Sequence, residues 1–159
     1  AAFEARVVEK VYLGILAGPA PGAGGTIDLP LGKVSSAEAG WRMVVDGQGK
    51  PAVSHWRALA ALPGGLTLVE FRPETGRTHQ LRVHALAGLG HALLGDPVYG
   101  APDPRVRRTM LHASRLVVAR EGKPPIIAQA PLPADFLALG ATPAMLGEAA
   151  ALHGDAPGH

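Results

Sequence analysis

Apolar and polar residues alternate near the start of the chain. Over residues 7–17, one face of an extended segment carries Leu13 and Ile15, and the other face carries Lys10 and Tyr12. Alternation with a period of two is typical of a β-strand with one buried face. We therefore predict a strand here, followed by a Gly- and Pro-rich loop at 18–25.

Two apolar runs surround a Pro-Gly-Gly sequence in the middle of the chain. Residues 53–62 and 66–71 flank Pro63, Gly64 and Gly65. Apolar runs on both sides of such a short turn predict a β-hairpin. The Ala and Leu residues of the first run also suit a helix, but its Val-Ser-His-Trp start and the short turn favour a strand.

A helical period follows the hairpin. Leu81, Ala85 and Leu89 recur every four residues and predict one buried stripe. Thr78 is the predicted N-cap, and Gly90 is the predicted residue just beyond the C-terminus. This segment is the longest helix that the sequence predicts.

The other segments are short. Residues 26–33 suggest a brief strand that ends in a Gly-Lys turn, 95–104 a loop, 110–119 a strand, and 124–133 an extended segment. Beyond Asp135 we expect two short helices separated by Thr142-Pro143. The fold class is therefore α+β with a mixed, mostly antiparallel sheet. We assign residues 1–140 to one domain and 141–159 to a helical tail with a frayed end.

Composition narrows the class of protein. The 159 residues are 47% hydrophobic, which is enough for a core, and the absence of cysteine excludes disulfides and thiolate zinc sites. No apolar run approaches the roughly 20 residues that span a bilayer, and the charged start does not suit a signal peptide. We expect a cytoplasmic protein with no membrane partner.

The net charge of +2 is unevenly distributed. Residues 72–123 contain nine Lys and Arg against four acids, whereas the rest contains six against nine. A basic segment in an otherwise acidic chain suggests a polyanion as partner. Chance clustering on a solvated surface explains the same numbers equally well.

The start of the predicted helix concentrates polar groups. Arg77 and Arg82 lie beside the helix N-terminus, where unpaired N–H groups and the helix dipole favour anions. This arrangement suits a phosphate or a carboxylate. The alternative is a capped surface helix with two solvated arginines.

The seven histidines do not suggest a metal site. His79 and His84 are five residues apart, and His84 and His91 are seven apart. Neither spacing gives the i, i+4 pair that places two ligands on one helix face. We therefore expect no metal.

One stretch of sequence is more specific than these patterns. GRTHQLRVH followed by GHALLGDPVYG resembles the motif of the RluA-type RNA pseudouridine synthases. The segments VVEKVYLGILAG, GTIDLPLGK, GKPAVSHWRAL, RTMLHASRLVV and APLPADF also resemble this family, in the correct order from residue 3 to residue 139. Several collinear segments are far more specific than one motif.

The resemblance implies a reaction. The family converts uridine in RNA to pseudouridine by breaking the N1–C1′ bond, turning the uracil and rejoining it through C5, with no metal or organic cofactor. The target nucleotide must leave the stack and enter a pocket. The resemblance thus implies an RNA partner, for which ribosomal RNA is a better candidate than transfer RNA.

The resemblance also implies residue roles. Tyr12 matches the tyrosine that packs against the uracil and is a candidate to remove the C5 proton, and Arg82 matches the arginine that pairs with the catalytic carboxylate. Leu111 matches an apolar wall of the base pocket. The RNA-binding positions are Lys10, Arg77, His79 and Gln80. For Tyr12 and Leu111 the alternative is ordinary packing in the sheet and core.

The sequence departs from the family in one respect. The catalytic Asp of the family lies in an HRLD motif about thirty residues before the tyrosine, and this motif does not occur here. None of the six aspartates has that context, and Asp96 in Gly-Asp-Pro suits a turn. We therefore expect the nucleophile in an upstream segment that this chain lacks. The alternative is a non-catalytic RNA-binding remnant of such an enzyme.

Overall fold

The computed structural model describes residues 5–146, which form eight strands and two α-helices. A 3₁₀ turn follows at Pro143–Leu146. The elements are β1 (Ala5–Leu16), β2 (Gly24–Asp28), β3 (Leu31–Ser36), β4 (Gly40–Val45), β5 (Val53–Leu62), β6 (Leu66–Pro73), α1 (Gln80–Leu89), β7 (Leu111–Arg120), β8 (Lys123–Gln129) and α2 (Ala134–Ala138).

Six of the strands form one sheet in the order β2-β5-β6-β1-β7-β8, and β3 and β4 form a separate two-stranded sheet. All the strand pairs described are antiparallel. The fold class predicted from the sequence, α+β with a mostly antiparallel sheet, is confirmed. β1 lies between β6 and β7 and is therefore an inner strand of the sheet.

The two faces of the sheet carry different cores. On one face, Leu16 and Phe71 pack against the buried stripe of α1, which is the predicted set Leu81, Ala85 and Leu89. A second core lies on the other face and includes Leu13, Ile15, Met110 and Phe136. The strand predicted at 7–17 is confirmed, but both of its faces are buried instead of the one predicted, because its alternating residues contact these two cores.

The predicted hairpin around Pro63-Gly64-Gly65 is also confirmed. β5 and β6 pair from Ser54 with Pro73 to Leu62 with Leu66. Gly64 and Gly65 have φ angles of 81° and 77°, a left-handed conformation that glycine adopts without steric penalty. Residues 53–62 are therefore a strand and not a helix, in keeping with the tight turn that follows them.

The region between residues 26 and 53 differs from the prediction. The predicted Gly-Lys turn is absent, because Gly32 and Lys33 lie inside β3 and pair with β4, a strand that the sequence analysis missed. The β3–β4 hairpin packs beside α1 through a small core that includes Met43, Val83 and Tyr99. Most residues of the two strands are exposed, although the alternation of Trp41, Met43 and Val45 was a signal that could have indicated β4.

The end of the described chain packs against the second core. Of the two short helices predicted beyond Asp135, the first is α2, which starts one residue earlier, and the described part of the second is the 3₁₀ turn, which includes Pro143; Phe136 and Ala141 are buried there. Residues 147–159 of the tail predicted at 141–159 lie outside the described residues. Within residues 5–146, no helix is long and apolar enough to cross a membrane.

Candidate uridine pocket

A cavity of about 310 Å³ lies between β1 and the start of α1. All seven residues singled out in the sequence line this cavity, although they are spread over a hundred positions of the chain. They are Lys10, Tyr12, Arg77, His79, Gln80, Arg82 and Leu111. The volume falls within the usual range for small-molecule sites.

Three elements bring these residues together. β1 contributes Lys10 and Tyr12, which are two positions apart and so share a face of the sheet. β7 begins at Leu111, beside β1. β6 also pairs with β1, which brings the segment from the end of β6 to the first turn of α1 next to β1. This segment forms the remaining wall of the cavity. The cavity therefore combines an aromatic side chain and an apolar side chain with several cations.

The start of α1 differs from the predicted N-cap. The helix begins at Gln80, and the residue before it is His79 rather than Thr78. His79 has φ 55°, the only positive φ of a non-glycine residue among those described, and its side chain makes no capping hydrogen bond. Left-handed backbone at such a residue is strained and persists only where the surroundings impose it. The strain lies at the wall of the cavity.

A buried chain of hydrogen bonds holds this turn. The side-chain oxygen of Gln80 accepts hydrogen bonds from the backbone N–H of Arg77 at 3.0 Å and the Thr75 hydroxyl at 2.7 Å. Its amide nitrogen donates to the Val53 carbonyl and to the Ser54 hydroxyl. Gln80 is 4% exposed, and these four bonds use the full capacity of its amide. The Gln80 amide therefore has no group left for RNA.

The chain of hydrogen bonds continues through His84. Its Nε2 donates to the Leu29 carbonyl at 2.9 Å, which leaves Nδ1 as the acceptor for the Ser54 hydroxyl at 2.8 Å. Burial lowers the pKa of His84. The imidazole stays neutral, and Leu29, Ser54 and α1 are joined through it.

Arg82 has a partner that the sequence analysis considered only as a turn residue. Its Nε and Nη2 donate to the two carboxylate oxygens of Asp96 at 2.9 and 2.7 Å. Asp96 is fully buried and also accepts the backbone N–H groups of Val98 and Tyr99. Asp96 is thus both a turn residue and an ion-pair partner. Arg82 and Asp96 are fourteen positions apart, so no local pattern in the sequence indicates that they form a contact.

The pair is electrostatically strong. Burial would raise the pKa of Asp96, but the hydrogen bonds from Arg82, Tyr99 and Val98 outweigh it and hold this pKa below its usual value. The Asp96 carboxylate in turn raises the pKa of Arg82. The guanidinium is held in one orientation, and its Nη1 takes no part in the pair.

His79 belongs to a second cluster at the edge of the cavity. Its ring stacks on Trp41 with centroids 5.0 Å apart and meets Tyr99 edge-on at 5.6 Å. The Tyr99 hydroxyl accepts the Met43 N–H and lies 2.9 Å from Nδ1 of His79. Burial and, next, the charge of Arg82 lower the pKa of His79, while Asp96 opposes them. The imidazole is therefore neutral at pH 7.

The cavity can hold a flat uncharged ring beside an anionic chain. Tyr12 and Leu111 give it apolar surface, and Lys10, Arg77 and Arg82 give it positive charge. Within residues 5–146, no carboxylate lines this cavity and no group of His, Asp and Glu could hold a metal ion. Asp96 faces Arg82 without being one of the lining residues.

The chain as a whole matches a known family. Residues 1–87 match the family model of the RNA pseudouridylate synthases. The chain therefore belongs to the RNA pseudouridine synthase family, which confirms the resemblance to its RluA-type members.

Individual relatives agree with this assignment. An uncharacterized RNA pseudouridine synthase of Zymomonas mobilis is 54% identical over 87% of this chain, which spans 64% of that relative. Ribosomal large subunit pseudouridine synthase D of Nitrosomonas europaea is 40% identical over 84% of the chain, which spans 40% of it. The chain thus covers less than two thirds of these relatives.

A solved structure shows the same fold. Human RNA pseudouridylate synthase domain containing 1 is 33% identical and superposes with a TM-score of 0.71. The match covers 91% of this chain and 65% of the human protein.

Proposed function

We propose that this chain forms the uridine-binding part of an RNA pseudouridine synthase, and that the complete protein isomerises uridines in structured RNA. The observation that carries the proposal is the single cavity lined by Tyr12, Leu111 and Arg82. A uracil flipped out of the RNA stack fits between an aromatic and an apolar side chain, while the cations at the rim suit its phosphates.

Within this proposal the residues have distinct tasks. Tyr12 and Leu111 hold the uracil while the N1–C1′ bond breaks and the C5–C1′ bond forms, and Tyr12 is the candidate to remove the C5 proton that must leave. Nη1 of Arg82 is available to a second carboxylate because Asp96 engages only Nε and Nη2. We propose that this second carboxylate is the nucleophilic Asp, supplied by an upstream segment.

Ribosomal RNA is our proposed substrate. Two relatives are named for the large ribosomal subunit, and they are 40% and 44% identical to the chain over the matched residues. The protein then works in the compartment that holds the ribosomes, the cytoplasm. Transfer RNA is the alternative substrate, and the two are separated by mapping pseudouridine in both RNA pools of cells with and without the gene.

A non-catalytic RNA-binding protein is the second candidate. It is favoured by one observation, that no carboxylate among residues 5–146 lines the cavity. Such a protein would bind RNA through the same pocket but would not convert the base.

Tritium release from RNA that contains [5-³H]uridine separates the two candidates. We expect release when an upstream segment with an HRLD motif is joined to the chain, and none from the chain alone. Release from the chain alone would place the nucleophile among the six aspartates of this chain. No release from either protein, despite RNA binding, would favour the non-catalytic candidate.

A further inference from the structure

A second cavity of about 520 Å³ adjoins the candidate uridine pocket. We call it the lateral groove. Gly76 and Arg77 line both cavities, so this segment forms their shared wall. The other side of the groove is the β3–β4 hairpin together with residues 46–50.

The lateral groove is positively charged. Lys33, Lys50 and Arg77 line it, and Asp46 is its one carboxylate, which gives a formal charge of +2. None of the three cations forms an ion pair with another residue in the described range 5–146. Uncompensated cations around a concave surface attract an anion.

The cations are held on a fixed frame. Nε of Arg77 donates to the Pro51 carbonyl at 2.8 Å, so the guanidinium has a defined direction. Lys50 and Leu31 exchange two backbone hydrogen bonds of 2.9 Å, and Lys33 lies two residues beyond Leu31 on β3. The Lys33 ammonium lies 4.9 Å from the ring centroid of Trp41. The groove is therefore formed before any ligand binds.

Lys10 extends the positive surface into the pocket. A methyl group placed on Gly76 would lie 3.4 Å from Lys10 Nζ, so this ammonium lies close to the shared wall. Cations thus line the pocket, the shared wall and the groove. Such an arrangement has the form of a groove that follows a nucleic-acid backbone.

We propose that the lateral groove binds the phosphates of the RNA strand next to the target nucleotide. The proposal rests on the proposed function, because a nucleotide flipped into the pocket must carry its neighbouring phosphates out along the rim. Arg77 contacts the phosphate at the shared wall, and Lys33 and Lys50 contact the next phosphates. These contacts position the strand and read no base.

The first test measures RNA binding by the Lys33→Gln/Lys50→Gln variant of the full chain. At low salt we expect affinity for a uridine-containing stem-loop to fall about fivefold, because each exposed charge contributes modestly. The slope of log affinity against log salt should decrease by about 1 to 2. The matched control is Arg6→Gln/Arg107→Gln, which removes two exposed charges outside both cavities and should change the slope less.

The second test locates the contact on the RNA. Neutral methylphosphonate linkages replace the phosphates on one side of the target uridine, one at a time. The wild-type chain should lose affinity at one to three adjacent linkages, and the double lysine variant should not lose it further. If the two losses add fully at every linkage, the lateral groove does not bind those phosphates and the proposal is wrong.

The two proposals can fail separately. Tritium release by the protein with its upstream segment, together with unchanged salt slopes, would refute the groove and leave the function intact. A methylphosphonate effect that depends on Lys33 and Lys50, without tritium release, would support the groove in a protein that only binds RNA.

Discussion

At the scale of single residues, the orientation of the Arg82 guanidinium depends on Asp96, which lies outside the helix that carries Arg82. The sequence places this arginine on a helix beside a predicted anion site, and the fold adds a fully buried carboxylate, Asp96, on two of its nitrogens. A buried ion pair with good geometry adds little net stability but costs much when one partner is removed. The pair therefore makes Asp96 as sensitive to substitution as a core residue.

The first prediction concerns this pair. Asp96→Asn should lower the free energy of unfolding by about 3 kcal/mol, because Arg82 loses its buried counter-charge. The control is Asp103→Asn, which breaks an exposed pair with Arg105 and should leave stability nearly unchanged. Urea unfolding at pH 7 measures both. Equal stability of the two variants would contradict the structural role of Asp96.

The second prediction gives the sign of the pH dependence. Because the pKa of Asp96 is lowered in the folded protein, its contribution is full above the ordinary carboxyl pKa and is lost as the pH falls through the lower folded pKa. The wild type should therefore lose stability below about pH 4. Asp96→Asn should lose less over the same range, and parallel acid-unfolding curves would contradict this assignment.

The third prediction separates the roles of Arg82 and Gln80. In the enzyme with its upstream segment, Arg82→Ala should abolish turnover with little loss of RNA affinity, and it should also destabilise the fold because the buried Asp96 loses its counter-charge. Gln80→Glu should destabilise the chain by about 2 kcal/mol, because a buried carboxylate cannot donate to Val53 and Ser54, but it removes no group that is free to contact RNA. Gln129→Glu at an exposed site is the control. Thermal unfolding and single-turnover kinetics distinguish the two results.

At the scale of elements, the β3–β4 hairpin depends on contacts from elsewhere in the chain. The Tyr99 hydroxyl accepts the N–H of Met43 on β4 and also lies beside His79 at the start of α1. Trp41 of β4 stacks on His79 and is itself 43% exposed. A two-stranded hairpin is marginal by itself, so these contacts fix its position along the pocket.

The fourth prediction tests this dependence. Tyr99→Phe should raise the hydrogen-exchange rates of the β3–β4 amides by about fivefold, which corresponds to one lost hydrogen bond of about 1 kcal/mol. Amides of β1 and β6 should keep their rates and serve as the internal control. Uniform acceleration across the sheet would mean that the hydroxyl stabilises the whole fold rather than the hairpin.

At the scale of the whole molecule, one edge of the six-stranded sheet is exposed. Every residue of β8 is exposed, and Ile126 and Ile127 are 49% and 53% accessible. An exposed apolar edge strand offers unpaired backbone groups to other chains. The chain as described therefore carries a surface that favours association.

The fifth prediction follows from this edge. Ile127→Lys should reduce concentration-dependent association, because a charged side chain on an edge strand opposes pairing with another chain. Light scattering over a range of concentrations measures association. The control is Val98→Lys, which places the same charge at an exposed apolar position outside the edge strand. An equal effect of both variants would show that added charge alone, and not the strand edge, is responsible.

The sequence by itself determined the local elements and the family. The alternation at 7–17, the Pro-Gly-Gly turn and the four-residue period of α1 each depend on neighbours in the chain, so each could be read from order alone. The site residues also came from sequence, through motifs that resemble a family. The Gly-Lys sequence at 32–33 suggested a turn although it lies inside β3, and β4 was missed.

The tertiary structure decided which groups meet. Asp96 with Arg82 and Tyr99 with Met43 join residues that are 14 and 56 positions apart, and no local period encodes such pairs. The left-handed turn at His79 and the saturated amide of Gln80 likewise follow from packing against β5 and its neighbours. Local propensity favours Thr78 as the N-cap. The hydrogen bonds of the buried Gln80 amide to other parts of the chain instead place the start of the helix one residue later.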